Sequence, residues 1–245
     1  MESVYSSSVA TFVIVHGAWG GGWEWRSVAD LLGGMGHRAF PVTLTGLGDR
    51  SHLSSRSVDL STHRDDVVEL VRWERLREVI LVGHSYGGMV ISVAAPQLGD
   101  RLRAMVYVDG FVPEDGQCET DLIDPAWVET MVTRPAAERG EGWLVPFPFP
   151  DDLDGYPADM AERYRASRHP LPTLTEPASV AGTPHVPVAF VHCIDKEPGT
   201  DAFLGSLDTA RRRGWLELEI ASGHDVQIEH PDEIARVLHD LSVRF

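Results

Sequence analysis

Short β-branched apolar runs alternate along this chain with longer stretches in which apolar residues recur every three or four positions. Thr11 to Val15 is such a run and ends in His16-Gly17, which predicts a buried strand opening into a glycine-rich turn. Trp25 to Met35 reads as a helix closed by Gly36, and Arg38 to Leu44 as a second strand. Between Asp59 and Glu74, the spacing of Val67, Leu70, Val71 and Glu74 predicts an amphipathic helix. Glu78 to Gly83 is again a strand, followed by a helix-compatible run to Leu98, and Arg103 to Asp109 is the next strand. Strand and helix in alternation predict a mostly parallel sheet, covered on both faces and joined by right-handed crossovers.

The alternation then stops. Phe111 to Thr183 holds ten of the sixteen prolines, with weak periodicity, and reads as an insertion. Strand and helix resume with Val186 to Cys193, Asp201 to Arg213 and Trp215 to Ala221. A last helix starts near Pro231, with Ile234, Val237, Leu238 and Leu241 on one face. There is no internal repeat. At 245 residues the chain fits one α/β domain, split as a core of residues 1–110 and 184–245 around an inserted cap of residues 111–183.

Charge and composition narrow the partners. Lys plus Arg number 21 against 37 Asp plus Glu, a balance of −16 that repels phosphate backbones and anionic lipid surfaces. A small-molecule substrate is therefore expected, with neither nucleic acid nor membrane as partner, and a homodimer through an edge element fits the same reading. Two cysteines, Cys118 and Cys193, make no disulfide framework or zinc site, which suits a reducing cytoplasm. Met1 to Ala10 is polar and Ser-rich, without the basic start and apolar core of a secretory leader.

Gly83-His84-Ser85-Tyr86-Gly87 matches the G-x-S-x-G elbow, in which a sharp strand-to-helix turn lifts a serine hydroxyl clear of the sheet. The bare pattern is weak, but the apolar strand before it and the small-residue helix start after it are the context it needs. A serine hydroxyl is a poor nucleophile until an imidazole accepts its proton. Among eleven histidines, His224 is preferred, because Ser222-Gly223-His224 follows a predicted strand at the carboxyl edge of the sheet. His84 adjoins the serine but points elsewhere, His230 suits a capping or packing position, and His16 and His192 read as structural. Asp195, where Val186 to Cys193 runs out, is the preferred acid, with Asp109 its rival and Glu197 weaker. Oxyanion donors are expected from the amides of Ala18 and Tyr86. The stretch Gly17-Ala18-Trp19-Gly20-Gly21-Gly22 lacks the spacing of a nucleotide-binding loop.

Taken together, His16-Gly17-Ala18-Trp19, Thr45-Gly46-Leu47-Gly48-Asp49-Arg50, Gly83-His84-Ser85-Tyr86-Gly87-Gly88 and Gly223-His224-Asp225 resemble the α/β-hydrolase superfamily. The likeness is closest to its branch of plant methylesterases, hydroxynitrile lyases and bacterial esterase relatives. It implies an α/β-hydrolase fold, a Ser85, Asp195 and His224 triad, and Ala18 and Tyr86 amides as the oxyanion hole. Many bacterial members place one more residue between the cysteine and the acid than Cys193-Ile194-Asp195 does. The lyases carry a lysine after the catalytic histidine and a threonine in place of the first-loop glycine. Asp225 and Gly17 stand there instead, which favours hydrolysis over cyanide chemistry. Trp127, Trp143 and Phe147 of the insertion, with Trp19 and Trp23 of the first loop, are candidate pocket walls, although each alone is more simply packing.

The expectation is a serine hydrolase that cleaves a small, largely apolar or aromatic carboxylic ester through an acyl enzyme, with no metal and no organic cofactor. A second class keeps the pocket and uses His224 as a general base for carbon–carbon cleavage, cyclisation or decarboxylation, recognisable by a product that lacks the hydrolysed acid. A third is a ligand receptor that binds tightly and turns nothing over.

Overall fold

The computed structural model describes residues 9–151, 153, 155–180, 185–197 and 199–245. Most of the N-terminal stretch read as leaderless, and the end of the predicted insertion, lie outside the described residues.

Strands β1 (Thr11–Val15) and β2 (Arg38–Val42) flank helix α1 (Arg26–Gly34). Helix α2 (Leu60–Trp73) leads to β3 (Val79–Ser85), and α3 (Gly87–Leu98) to β4 (Leu102–Gly110). After β4 come short elements: α4 (Pro125–Val128), a π turn (Glu129–Thr133), α5 (Arg134–Arg139), β5 (Leu144–Pro146), α6 (Ala158–Ala166), β6 (Arg168–Pro170) and α7 (Leu171–Thr175). The alternation resumes with β7 (Val188–Cys193), α8 (Leu204–Arg212), β8 (Leu216–Ile220), α9 (Val226–Glu229) and α10 (Pro231–Arg244). Predicted and observed elements agree to within a few residues at each end, while α9 and the short elements after β4 had no clear periodicity to announce them.

Among the described residues the main sheet is six-stranded and wholly parallel, in the order β2-β1-β3-β4-β7-β8, and β5 pairs with β6 in a separate antiparallel ribbon. Side chains alternate along a strand, so each strand supplies both faces. Val13, Val15, Leu81 and Tyr107 pack beneath α2 and α3 with Val67, Val71, Met89 and Ile91. Phe12, Ile14, Ile80, Val82 and Val106 face α1 and α10 with Val28, Leu32, Ile234 and Leu238. Burial on both faces is why these strands read as continuous apolar runs.

Sheet order also locates the site. From β1 the chain crosses to β2 on one side and later returns to β3 on the other, so the loops after β1 and β3 diverge and leave a crevice at the carboxyl ends of the strands. The β5–β6 ribbon and α6 pack against the segment that follows β1. The Trp19 indole donates to the Val145 carbonyl at 2.8 Å, and the Tyr164 hydroxyl to Glu24 at 2.8 Å. At the other flank, Ser61 binds the Glu176 carboxylate through both its amide and its hydroxyl, at 2.9 and 2.7 Å.

Candidate active site

At the end of β3, Ser85 adopts φ +53°, a left-handed backbone conformation in a non-glycine residue, and α3 starts two residues later. Such strain persists only where the surroundings enforce it. Here the glycines do so. A Cβ on Gly87 would lie 2.5 Å from the Val15 carbonyl oxygen, and one on Gly83 would lie 2.6 Å from the Gly87 carbonyl oxygen, so the turn closes only without side chains. Gly17 packs on the elbow in the same way, because a Cβ there would stand 3.1 Å from the Ser85 Cβ and 3.2 Å from His84 Nδ1. A threonine at position 17, as in the lyases, would need its neighbours to yield. The half-buried Ser85 is thus flanked by the first loop, with Ala18 following Gly17 and Tyr86 buried behind it.

His224 stands beyond β8 on the same edge. Its loop is held by Glu229 of α9, whose Oε2 accepts from the Gly223 amide at 2.8 Å and the Ser222 hydroxyl at 3.2 Å. The His84 Nε2–H donates to the His224 carbonyl at 3.0 Å, and the Phe203 ring stacks on the imidazole at 4.8 Å between centroids. His224 Nδ1–H donates to Asp109 Oδ2 at 2.7 Å, which fixes the tautomer and leaves Nε2 as the basic nitrogen. Burial lowers the affinity of His224 for a proton, but the Asp109 hydrogen bond and charge, with Asp225, together outweigh it and hold the imidazole above its ordinary value against the opposing Lys196.

Asp109, not the expected Asp195, is therefore the carboxylate joined to His224. The reason lies in the bend the chain takes after β7. Beyond Cys193 the backbone follows the loop after β8, with the Ile194 amide on the Ile220 carbonyl and the Asp195 amide on the Ser222 carbonyl, at 2.9 and 3.0 Å. Ile194 and Asp195 are both exposed, and at the bend that follows Lys196 reaches inward to Asp109 Oδ1 at 2.7 Å. Asp109 itself is fully buried, at φ +42° beside a register shift in the β3–β4 pairing. Burial disfavours its charge, yet the His224 and Lys196 contacts prevail and keep its carboxyl below the usual carboxylate range. Glu197, the weaker alternative, is exposed.

The buried histidines around the elbow form a scaffold of fixed tautomers. His16 donates from Nδ1 to the Gly17 carbonyl at 2.7 Å and accepts from the Leu44 amide at 3.2 Å. His63 donates to the Thr45 carbonyl and accepts from the Tyr86 hydroxyl, both at 2.8 Å. His169 accepts from the Trp19 amide at 3.1 Å, with its other nitrogen 2.6 Å from the Thr173 hydroxyl. Burial lowers His16, His63 and His84 to about 4 and holds His169 well below its ordinary value, so all four are neutral at ordinary pH. The His169 bond also supports Trp19, whose backbone is left-handed at φ +61°.

Of the aromatic residues singled out in the sequence, Trp19 and Phe147 meet edge to face at 6.0 Å, and Phe147 continues through Phe149 to Trp127. Trp23 packs with Tyr164, Leu153 and Ala161 in a small buried cluster, and Trp143 lies under the Arg56 guanidinium at 5.5 Å. Among the described residues two trios of donor groups lie within 4.8 Å, His84–His224–Asp225 and Asp109–His192–Asp201. Both already have partners: Asp225 accepts from the Tyr156 hydroxyl at 2.5 Å, and the Lys196 ammonium bridges Asp109 and Asp201. The sequence carried no signal for Lys196, Phe203 or Glu229; Asp109 was legible only as one strand-end carboxylate among several.

Residues 12–237 match the alpha/beta hydrolase family. The chain belongs to that family. This hydrolase is 35% identical over 239 residues to a carbendazim hydrolyzing esterase of Nocardioides sp. (strain SG-4G), an alignment covering 94% of this chain and 98% of the relative. Methylesterase 8 of Arabidopsis thaliana is 34% identical over 108 residues, 42% of this chain and 38% of its own. In fold, an extracellular alpha/beta-hydrolase from a Paenibacillus species superposes with a TM-score of 0.81 at 22% identity, over 94% of this chain and 98% of that one. No helix of the described residues is long and apolar enough to cross a membrane.

Proposed function

We propose that this alpha/beta hydrolase is a serine esterase for small, largely apolar or aromatic carboxylic esters, working through an acyl enzyme. The observation that carries the reading is the 2.7 Å bond between His224 and the buried Asp109, on the strand edge where the strained Ser85 turn lies. In this mechanism His224 Nε2 takes the Ser85 proton as the hydroxyl oxygen attacks the ester carbonyl. The oxyanion then rests against the Ala18 and Tyr86 amides. Collapse expels the alcohol, which receives the proton from His224. Water, deprotonated by the same nitrogen, cleaves the acyl–serine bond and releases the acid.

Asp109 holds the imidazole in the donating tautomer and balances the imidazolium. The aromatic row from Trp19 through Phe147 and Phe149 to Trp127 supports a flat or apolar substrate group. The whole-length likeness to an esterase supports the same reaction class. Asp225, which accepts from the Tyr156 hydroxyl, follows His224 where the lyases carry a lysine.

The test is pre-steady-state hydrolysis of p-nitrophenyl acetate. A burst stoichiometric with enzyme is expected, with loss of roughly 10³-fold or more in kcat for Ser85→Ala. Full turnover by Ser85→Ala would exclude the acyl enzyme.

A further inference from the structure

Behind the His224–Asp109 pair lies a second line of charge. Asp109 divides its oxygens, Oδ2 to His224, and Oδ1 to Lys196 Nζ at 2.7 Å and the Cys193 amide at 3.3 Å. Lys196 Nζ also donates to Asp201 Oδ1 at 3.1 Å, and its side chain is only 11% exposed. Asp201 is held in turn by the Phe203 amide at 2.9 Å and by His192 Nε2 at 2.7 Å. The ammonium sits 5.0 Å from the centroid of Phe203, the ring that stacks on His224. Lys196 therefore touches both Asp109 and Phe203, the two side chains that hold the imidazole ring.

We propose that Lys196 is a positioning residue for the acid–base pair: clamped between Asp109 and Asp201, it holds Asp109 against His224 and sets the pH at which His224 becomes a base. A buried carboxylate against a neutral imidazole would be an uncompensated charge, and the ammonium supplies the compensation. Its own charge acts on His224 in the opposite sense to Asp109. The groups facing the imidazole are Asp109 from β4, His84 from β3, Asp225 beside it and Lys196 from the loop after β7, and Lys196 is the cation among them. With Lys196 present, the charged groups of the Asp109–Lys196–Asp201 line sum to one negative charge. Without it they sum to two, and His224 binds its proton more tightly. Without Asp201 they sum to zero, and His224 gives it up more readily.

The two removals thus carry opposite signs, which a bracing role alone does not produce. The inference rests on the esterase reading for its kinetic arm alone. Full-length protein with 15N-labelled histidine is titrated by NMR, with His224 assigned through His224→Gln, and the acidic limb of kcat/KM for p-nitrophenyl acetate is followed in parallel. For Lys196→Met the His224 midpoint is expected to rise by about one pH unit. Lys196→Arg should stay within a few tenths of a unit of the wild type, and Asp201→Asn should move the midpoint downward. An unmoved midpoint in a folded Lys196→Met, or a shift of the same sign in Asp201→Asn, overturns the proposal. Should Lys196→Met not fold, Asp201→Asn decides it alone, an unmoved or raised midpoint counting against. Expected NMR shifts in a protein that hydrolyses no ester would sink the esterase reading and leave this one standing.

Discussion

Asp109 and Asp195 are carboxylates at neighbouring strand ends, and exchanging each for asparagine separates their roles. Asp109→Asn would keep the shape but let the amide face His224 with the wrong donor pattern, so kcat should fall by roughly 10³- to 10⁴-fold. Asp195→Asn, on an exposed side chain, should leave kcat/KM within about twofold. Steady-state kinetics on the two proteins decides, and the reverse ranking would return the acid to the end of β7. Because His224 lies above its ordinary 6.5, wild-type activity should fall as pH drops through a midpoint above that value, where the base is lost. Neither residue's local sequence distinguishes them. Asp109 is selected by burial, a left-handed backbone and two cationic or donating neighbours, all supplied from elsewhere in the chain.

Among elements, the β3–α3 turn was the most legible, since its requirements are local: an apolar strand, a serine at a strained position and glycines where the backbone passes closest. Gly87→Ala is a direct trial of that geometry. Its methyl group would sit 2.5 Å from the Val15 carbonyl and 2.8 Å from that of His16, and backbone oxygens cannot swing away as a side chain would. A loss of about 3 kcal/mol in urea denaturation is expected, with activity reduced alongside. A change below about 0.5 kcal/mol would mean that β1 and α3 can separate more easily than the packing implies. The short elements between β4 and β7 were illegible for a complementary reason. Their order comes from contacts with the core, such as Trp19 to Val145 and Ser61 to Glu176, and not from periodicity within the segment.

At the scale of the whole molecule, the net charge of −16 sets a negative field around the crevice. An anionic ester should approach against it and a neutral ester without penalty. Raising ionic strength from about 0.01 to 0.15 M shortens the screening length from about 30 to 8 Å. The ratio of kcat/KM for a carboxylate-bearing ester to that for a neutral analogue should therefore rise severalfold over this interval. A ratio independent of salt would mean that local charge at the crevice mouth cancels the global field.

The alternation of β-branched runs with amphipathic stretches determined the α/β architecture, and the glycines around Ser85 marked the sharp strand-to-helix turn. Each depends on residues close together in the chain, where steric and hydrophobic preferences act on neighbours. Which carboxylate meets the imidazole, and which cation stands behind it, was another matter. Asp109 and His224 lie 115 positions apart, and Lys196 reaches Asp109 across 87. Their meeting depends on strand order β4-β7-β8, on a register shift in β4, and on the bend after Cys193 that turns Lys196 inward and leaves Asp195 exposed. Asp195 and Lys196 are adjacent in the chain, so that bend alone decides which charge stands behind the Asp109–His224 pair, and no local propensity records it.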